Sequence, residues 1–424
     1  MVMSSKFFRY ASLFIAAVML ASCTGTIDPE QGDGGGDDIE NGTGNNGGNE
    51  DSGTPVSKEL KVKADKMFVQ TFGGDYVTLT VTLGDQTLTE GVTFYDGEDN
   101  VIPVDEFKFK TEVAGQHEIY AGYGTYFTKQ PVTVTAIAVA IPETPEDEHP
   151  ERTDFRQRVL LTQFTTTGCT WCPSMKLVLK SAIDDKYAEK VVKVDCHSST
   201  MGRNDPVYVD LKAFEEQCDG LLPSVNLDMI QTTGYLQGMT GADIQVMIDR
   251  WYGFKEDKAA GIAVNSSATD DQIVAKVAVK AAETGTYRVG LMLLEDNIVA
   301  SSSQTQQGSG AADWMNTHNS CIRYMDSKYA SGSGVRFYGH SLGEIAAGET
   351  AEYVFILDLE SIWQNGILKA QQNGCTWAPR WVSEELHLAV FTTTTGTDGM
   401  SEFYYVSNVV DCPINGETPF EYAK

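Results

Sequence analysis

Val159-Leu160-Leu161-Thr162-Gln163-Phe164 precedes Cys169-Thr170-Trp171-Cys172, and apolar residues at helical spacing follow from Met175 to Ile183. This order predicts a buried strand, a turn and a helix. A helix start presents unpaired backbone N–H groups and positive dipole character, and both favour the reactive thiolate form of Cys169. Cys172 is placed to resolve a mixed disulfide formed at Cys169. The stretch therefore predicts a strand–turn–helix unit suited to thiol–disulfide exchange.

The pattern around this stretch alternates between strand and helix. A strand is predicted at 191–194, a helix at 207–218, a short strand beginning at Leu221-Leu222-Pro223, and an amphipathic helix from Ile244 to Trp251. Alternating elements are typical of α/β layer folds. We therefore predict an α/β domain over residues 153–257.

This domain resembles the thioredoxin superfamily through Cys169 and Cys172 at a strand–helix junction and Pro223 fifty-one residues after Cys172. The resemblance implies that Pro223 is cis and packs against the dithiol, and that Leu222 and Trp171 line a substrate groove. Two positions depart from the superfamily pattern. Gly168 stands where tryptophan is usual, and Gln163 stands where a buried aspartate assists proton transfer, a role that an amide does not serve.

The non-catalytic alternative for Cys169 and Cys172 is a structural disulfide at the helix start. Such a small loop stabilises little through chain entropy, which favours redox use to a modest degree. Zinc needs about four ligands, and the sequence has no second CxxC and no neighbouring histidine pair; His197 beside Cys196 is the nearest histidine. No metal site and no cofactor are therefore expected, and enzymatic activity stays an open question between an oxidoreductase and none.

The pattern of the first residues predicts a secretory leader. Lys6 and Arg9 precede an apolar stretch from Tyr10 to Leu20, and Leu20-Ala21-Ser22-Cys23 follows. This pattern resembles a bacterial lipoprotein leader, which implies a signal peptide over 1–22 and lipid on Cys23. Several acyl chains on one residue give lasting membrane anchoring. No other stretch is long and apolar enough to cross a membrane.

Three segments follow the leader. Residues 23–57 are rich in glycine and acidic residues and predict a disordered tether. Residues 58–140 alternate with period two, as in Val77, Leu79, Val81 and Leu83, and predict a small β-sandwich. Gly115 to Ala121 resembles a late strand of bacterial immunoglobulin-like modules, which implies an immunoglobulin-like fold. Residues 141–152 are rich in proline and glutamate and predict a stiff linker.

Residues 258–424 return to a period-two pattern and predict a second, larger antiparallel sandwich. The predicted fold class is thus multidomain, with the α/β domain between two sandwiches. Glu295, Asp296 and the stretch from His318 to Arg323 invite an acid–base interpretation, but a structural role for such loop residues is favoured. Cys196 and Cys218 could form a disulfide, with two buried thiols as the less favoured alternative in an oxidising compartment. For Cys321, Cys375 and Cys412 the simplest expectation is one disulfide and one unpaired cysteine.

The whole chain has 424 residues and a net charge of −28, with acidic residues spread along it. No basic stripe is present to neutralise phosphates, so nucleic-acid binding is not expected. The remaining partners are the membrane, through lipid on Cys23, and exported proteins with cysteines or a protein or glycan ligand.

The order of these features resembles the outer-membrane lipoprotein family named for a twenty-eight-kilodalton protein of Gram-negative anaerobes. The features that carry it are the lipobox, the CxxC domain, Leu294-Glu295-Asp296 and the segment from His318 to Arg323. The resemblance implies an outer-membrane location, on either face, with an added N-terminal immunoglobulin-like domain. Two functions remain open: thiol–disulfide exchange with envelope or surface proteins, or a non-enzymatic surface protein on a thioredoxin-like scaffold.

Overall fold

The computed structural model describes residues 59–255, 259–331, 334–378, 383–397 and 402–424. The predicted leader, Cys23 and the tether lie outside the described residues. In the described parts of the chain, no helix combines the length and the apolar character needed to span a membrane.

The first module is a pair of sheets. Its strands are β1 (Leu60–Ala64), β2 (Phe68–Gln70), β3 (Val77–Leu83), β4 (Gln86–Leu88), β5 (Thr93–Tyr95), β6 (Val104–Asp105), β7 (Lys108–Phe109), β8 (Gly115–Tyr123), β9 (Tyr126–Phe127) and β10 (Val132–Ile137). One sheet has the order β1-β3-β7-β6, with β4 beside β3. The other has the order β2-β10-β8-β5, with β9 beside β8.

Strand β3 shows why this module folds as a sandwich. Val77, Leu79, Val81 and Leu83 are buried, and the threonines between them point outward. Their side chains pack with apolar residues of the opposite sheet, such as Ile119 and Val134, in one cluster. The predicted alternation in this strand is confirmed.

The segment after β10 does not stand free of the C-terminal part of the chain. Ile137 and Val139 pack with Val274 and Ile356. Farther along, Asp147 accepts hydrogen bonds from the buried Lys280 ammonium at 2.9 Å and from the Tyr422 hydroxyl at 2.6 Å. The segment from the end of β10 to Asp147 is therefore held against the C-terminal residues by apolar contacts and by an ion pair with the buried Lys280.

The next segment alternates between strands and helices. Its elements are β11 (Val159–Phe164), α1 (Cys172–Ala182), α2 (Asp185–Ala188), β12 (Val191–Cys196), α3 (Lys212–Gln217), β13 (Ser224–Leu227), β14 (Gln231–Gly234) and α4 (Gly241–Lys255). Strand β11 pairs parallel with β12 and antiparallel with β13, which pairs antiparallel with β14. Met175, Leu179, Ile244 and Ile248 place α1 and α4 together against one face of this sheet.

The rest of the chain is mostly strand. Its elements are β15 (Gly261–Ala268), β16 (Gln272–Lys280), β17 (Gly285–Glu295), β18 (Ile298–Val299), β19 (Thr317–His318), β20 (Cys321–Asp326), β21 (Tyr329–Ser331), β22 (Gly334–Arg336), β23 (His340–Ile345), β24 (Thr350–Asp358), α5 (Leu359–Gln372), β25 (Leu386–Thr397), β26 (Glu402–Pro413) and β27 (Glu417–Thr418). Strands β24-β16-β15-β27 form one sheet. Their buried residues, such as Val277 and Phe355, pack against Leu291 of β17 and Val390 of β25.

Strands from both sides of residue 257 share a single sheet. Among the described residues its order is β14-β13-β11-β12-β20-β17-β25-β26, with β23 beside β17. The junction is a parallel pairing of Asp195 in β12 with Cys321 in β20. Leu160 and Phe164 also share a core cluster with Met292 and Phe391. The chain is thus a multidomain, mostly β protein with several sheets, in which the CxxC segment is continuous with the C-terminal strands.

Candidate functional site

The CxxC stretch occupies the turn between β11 and α1. Helix α1 begins at Cys172 with Pro173 in its first turn, where the missing N–H of proline costs little. The Cys172 N–H points at the Cys169 sulfur, with 3.1 Å between nitrogen and sulfur. Cys169 and Cys172 are joined in a disulfide. The strand–turn–helix placement predicted for this stretch is confirmed.

Both sulfur-bearing residues are shut away from solvent. Cys169 is 2% exposed and Cys172 is 0% exposed. Trp171 between them is 60% exposed and stacks on Tyr235, with the ring centroids 6.2 Å apart. The turn therefore presents an aromatic ring, and not a sulfur, to the outside.

A segment of the C-terminal part of the chain, Gln304–Gly308, lies over this turn; we call it the cover segment. The Gln307 N–H donates to the Thr167 carbonyl at 2.8 Å, and the Gln306 amide donates to the Cys169 carbonyl at 3.1 Å. Gly308 has a φ of +111°, and a Cβ at this position would lie 2.1 Å from the Thr170 carbonyl oxygen. Only glycine allows so close an approach of the two backbones.

Gly168 makes a similar close contact on the other side of the turn. A Cβ on this residue would lie 2.3 Å from the Thr200 carbonyl oxygen and 2.9 Å from Arg203. The tryptophan that thioredoxins carry at this position would therefore collide with the segment after β12. The glycine noted in the sequence is a packing requirement of this chain.

The predicted groove residues lie beside the turn. The Leu222–Pro223 peptide bond is cis. Pro223 is buried, Leu222 is half-buried, and Leu221 is 75% exposed. The Pro223 carbonyl accepts the Tyr235 N–H at 3.1 Å, and Tyr235 stacks on Trp171. Tyr235, which the sequence did not single out, thus links Trp171 to the proline turn.

Gln163 stands in β11 and is fully buried. Neither its amide nitrogen nor its amide oxygen has a hydrogen-bond partner among the described residues. The interior beneath the disulfide therefore holds an uncharged amide at the position where a proton-transferring acid was considered.

A buried polar cluster that the sequence analysis missed lies next to the turn, and its hub is Asp205. The Asp205 carboxylate accepts hydrogen bonds from the Thr166 hydroxyl, the Thr167 N–H and His197 Nδ1, each at 2.8 Å. Burial alone would raise the pKa of Asp205, but its contact with His197 and these hydrogen bonds hold that pKa below its usual range. The same carboxylate therefore orders the residues before Cys169 and the histidine after β12.

His318 and Cys321 lie close to His197. The rings of His197 and His318 are nearly perpendicular, with centroids 5.3 Å apart. Burial, and then the nearby Lys176 charge, lower the pKa of His318, and burial raises the pKa of the Cys321 thiol. Lys176 of α1 is also buried, which lowers its own pKa, while Asp195 opposes that shift. The only sequence signals for this cluster were Cys196-His197 and the His318-x-x-Cys321 spacing.

The disulfides considered for the other cysteines are not formed. Among the described residues, Cys196, Cys218, Cys321, Cys375 and Cys412 are all buried free thiols. Cys196 and Cys218 lie in one apolar cluster with Phe164 and Phe214, where each acts as a small apolar side chain. Burial raises the pKa of both thiols, which disfavours the reactive thiolate form. The expected Cys196–Cys218 bridge and the expected C-terminal pair were therefore wrong.

The acid–base candidates of the C-terminal part form structural ion pairs. Arg323 lies 3.3 Å from Glu295, stacks over Trp377 and is buried. Burial would lower the pKa of His387, but its contacts with Asp296 and Asp411 raise that pKa to about 9. Glu295, Asp296 and Arg323 thus take part in ion pairs, whereas His318 belongs to the buried polar cluster.

Comparisons with known proteins add little to this geometry. No family model matches the chain, and no curated protein matches it. Among solved structures, the chain is similar to HBP35 of Porphyromonas gingivalis, at 16% sequence identity. The similarity covers 63% of this chain and 78% of that chain, with a TM-score of 0.43. A likeness of this degree assigns neither a fold nor a function to this chain.

Proposed function

We propose that this chain is a lipid-anchored outer-membrane protein of the family named for the twenty-eight-kilodalton protein, and that it is not an enzyme. The thioredoxin-like segment serves as a scaffold, and Cys169–Cys172 is a structural disulfide within it. The observation that carries the proposal is the burial of both cysteines, at 2% and 0% exposure. Exchange requires a partner thiolate to approach a disulfide sulfur, and this approach is closed here.

Three observations support a thioredoxin-like scaffold. Strands β11 and β12 are parallel, and β13 and β14 continue the sheet in antiparallel fashion. The CxxC turn leads from β11 into α1, and α1 packs beside α4 on one face. The chain before β13 contains the cis Leu222–Pro223 bond. This order of elements supports a thioredoxin-like fold. The position of the cover segment on the CxxC turn is unfavourable for thiol–disulfide exchange.

The proposal also includes a lipid anchor and a protein or glycan ligand. Lipid on Cys23 and the tether over 23–57 would hold the folded part away from the membrane surface. The two sandwiches would then bind a protein or a glycan. In the first sandwich Phe72, Tyr76, Tyr126 and Phe127 are exposed aromatic side chains, between 40% and 61% exposed. Exposed aromatic rings are suited to contacts with either class of ligand.

The test is equilibration of the native chain in glutathione buffers of graded potential, followed by alkylation and peptide mapping. The proposal predicts that Cys169 and Cys172 stay oxidised and unlabelled throughout a range in which exposed catalytic pairs become reduced. Reversible labelling of Cys169 that follows the buffer potential in the folded chain would overturn the proposal.

Thiol–disulfide exchange with exported proteins is the second candidate, and one observation favours it. The Cys172 N–H and the start of α1 both face the Cys169 sulfur, where they would stabilise a thiolate if the cover segment opened. In this candidate Cys169 attacks, Cys172 resolves, and Leu222, Pro223 and Trp171 form the groove.

A Cys172→Ser variant expressed in cells separates the two candidates, with Cys412→Ser as a matched control for loss of a buried sulfur. Exchange predicts that Cys172→Ser accumulates covalent partners through Cys169 and that the control does not. The structural proposal predicts no trapped partners in either variant.

A further inference from the structure

We propose that His197, His318 and Cys321 form a buried binding site for a d10 transition-metal ion, either Zn²⁺ or Cu⁺. One ligand atom from each residue lies within 4.8 Å of the other two. The three residues are between 0% and 2% exposed. Zn²⁺ takes nitrogen ligands at about 2.0–2.1 Å and sulfur at about 2.3 Å, so small side-chain rotations bring these atoms to bonding distance.

The continuous sheet is what assembles this site. His197 directly follows β12, and Cys321 is the first residue of β20. The two strands meet at the pairing of Asp195 with Cys321, which brings the two residues to the same end of the sheet. His318 in β19 precedes Cys321 by three residues, and Ser320 between them has a φ of +52°. Neither half of the chain holds all three side chains alone.

The ring nitrogens of His197 and His318 are a second, independent observation that points to a bound ion. His197 Nε2 and both ring nitrogens of His318 are buried without a hydrogen-bond partner among the described residues. Leaving a buried polar atom unpaired costs about 1–3 kcal/mol. A metal ion bound by His197 Nε2 and one nitrogen of His318 would give a partner to two of these three nitrogens.

The surroundings of His197 are those of a metal ligand. Its Nδ1 lies 2.8 Å from the buried Asp205 carboxylate. A proton on Nδ1 serves this hydrogen bond and leaves Nε2, which is buried without a partner among the described residues, as the ligand atom. Metal-bound histidines commonly give their other N–H to a carboxylate in this way. The Asp205 carboxylate is itself held by Thr166, Thr167 and the Val207 N–H.

The donor set and nearby charges select the class of ion. Two imidazoles and a thiolate suit Cu⁺ and supply three of the four ligands that Zn²⁺ takes, whereas Mg²⁺ and Ca²⁺ prefer oxygen ligands. On binding, the thiol of Cys321 gives its proton to solvent and the sulfur bonds to the metal. The thiolate and Asp205 supply two negative charges, which match Zn²⁺ alone or Cu⁺ together with the buried Lys176 ammonium, since Asp195 pairs with Lys193 and Arg323 with Glu295. The site does not depend on whether Cys169–Cys172 exchanges disulfides.

The experiment uses the full chain in detergent, stripped with a chelator and kept reduced at its free thiols. Zn²⁺ and anaerobic Cu⁺ are titrated separately, and Co²⁺ is titrated as a spectroscopic probe for the zinc geometry. We expect about one ion per chain, with a thiolate-to-cobalt charge-transfer band. Cys321→Ser should abolish that band, and Cys412→Ser, which removes another buried thiol, should retain it.

A double variant, Cys169→Ser with Cys172→Ser, excludes binding at a reduced CxxC and should retain the band. Circular dichroism shows whether each variant is folded, and His318→Gln supplies a second ligand deletion that keeps a similar volume. The proposal is overturned if the folded chain takes up none of the three ions. It is equally overturned if the band survives in Cys321→Ser or disappears only in the double CxxC variant.

Discussion

The CxxC turn lies next to the cluster of His197, His318 and Cys321 in the molecule. The two differ in the sequence, because the turn is contiguous and the cluster is not. The turn is a local motif, visible within four residues, yet its two cysteines are buried and the cover segment contacts its backbone. The cluster is scattered over more than one hundred positions and is brought together by the pairing of β12 with β20. The comparison teaches that a motif names possible chemistry, whereas the packing of distant segments decides whether the chemistry is accessible.

Asp205 connects the two regions, since it binds Thr166 and Thr167 on one side and His197 on the other. Its substitution is expected to have the largest effect. Asp205→Asn leaves buried groups without their charged partner and should lower the free energy of unfolding by about 3–5 kcal/mol. It should also weaken metal binding about 10- to 100-fold. Denaturant unfolding and metal titration measure the two effects; an unfolding midpoint equal to wild type would contradict the role of Asp205.

The pH dependence of stability tests the same residue in the wild-type chain. Because the pKa of Asp205 is lower in the folded state than in the unfolded state, its stabilisation is present above about pH 4 and is lost as the pH falls further. Unfolding followed between neutral and acidic pH should therefore show a loss in wild type that is smaller in Asp205→Asn. Parallel curves for the two proteins would exclude this contribution.

The last residue of the cover segment and a glycine two residues after it form a matched pair. Gly308 and Gly310 both have positive φ, but only at Gly308 does a Cβ meet other atoms, those of Thr170. Gly310→Ala should cost about 1–2 kcal/mol of stability through backbone strain. Gly308→Ala should cost about 1–3 kcal/mol more, because its methyl group also forces the cover segment off the turn. Reduction of Cys169–Cys172 should accelerate only in Gly308→Ala, and equal rates in the two variants would argue against the cover.

Trp171 is expected to give the smallest effect. Its side chain is 60% exposed and contacts Tyr235, so Trp171→Ala should change the free energy of unfolding by about 0.5 kcal/mol or less. Under the structural proposal the rate of disulfide reduction is unchanged as well. If Trp171→Ala, added to the Cys172→Ser variant, removed the trapped covalent partners while the stability was kept, the result would instead support the groove of the exchange candidate.

Local patterns predicted local structure well. The alternation in β3 and the strand–turn–helix placement of Cys169 and Cys172 follow from side-chain periodicity and from helix-start chemistry. What the sequence did not reveal depends on long-range pairing. The joining of β12 to β20 rests on one register pair, and no local pattern encodes which strand edges will meet.

The site shows the same division. Gly168 looked like a departure from a family pattern, and the structure gives the reason in the Thr200 carbonyl beside it. Cys196 and Cys218 were assigned a bridge from compartment chemistry, but apolar packing holds them as thiols. His318 was given a structural role because a histidine in a loop between strands usually has one, and its neighbour His197 lies far away in the sequence.

The most direct test of the central claim is the rate at which dithiothreitol reduces Cys169–Cys172 in the folded chain and in the denatured chain. If the cover segment shields the sulfurs, reduction waits for an opening event, and the folded chain should react about tenfold more slowly or slower still. Comparable rates in the two states would show that the sulfurs are accessible and would contradict the account.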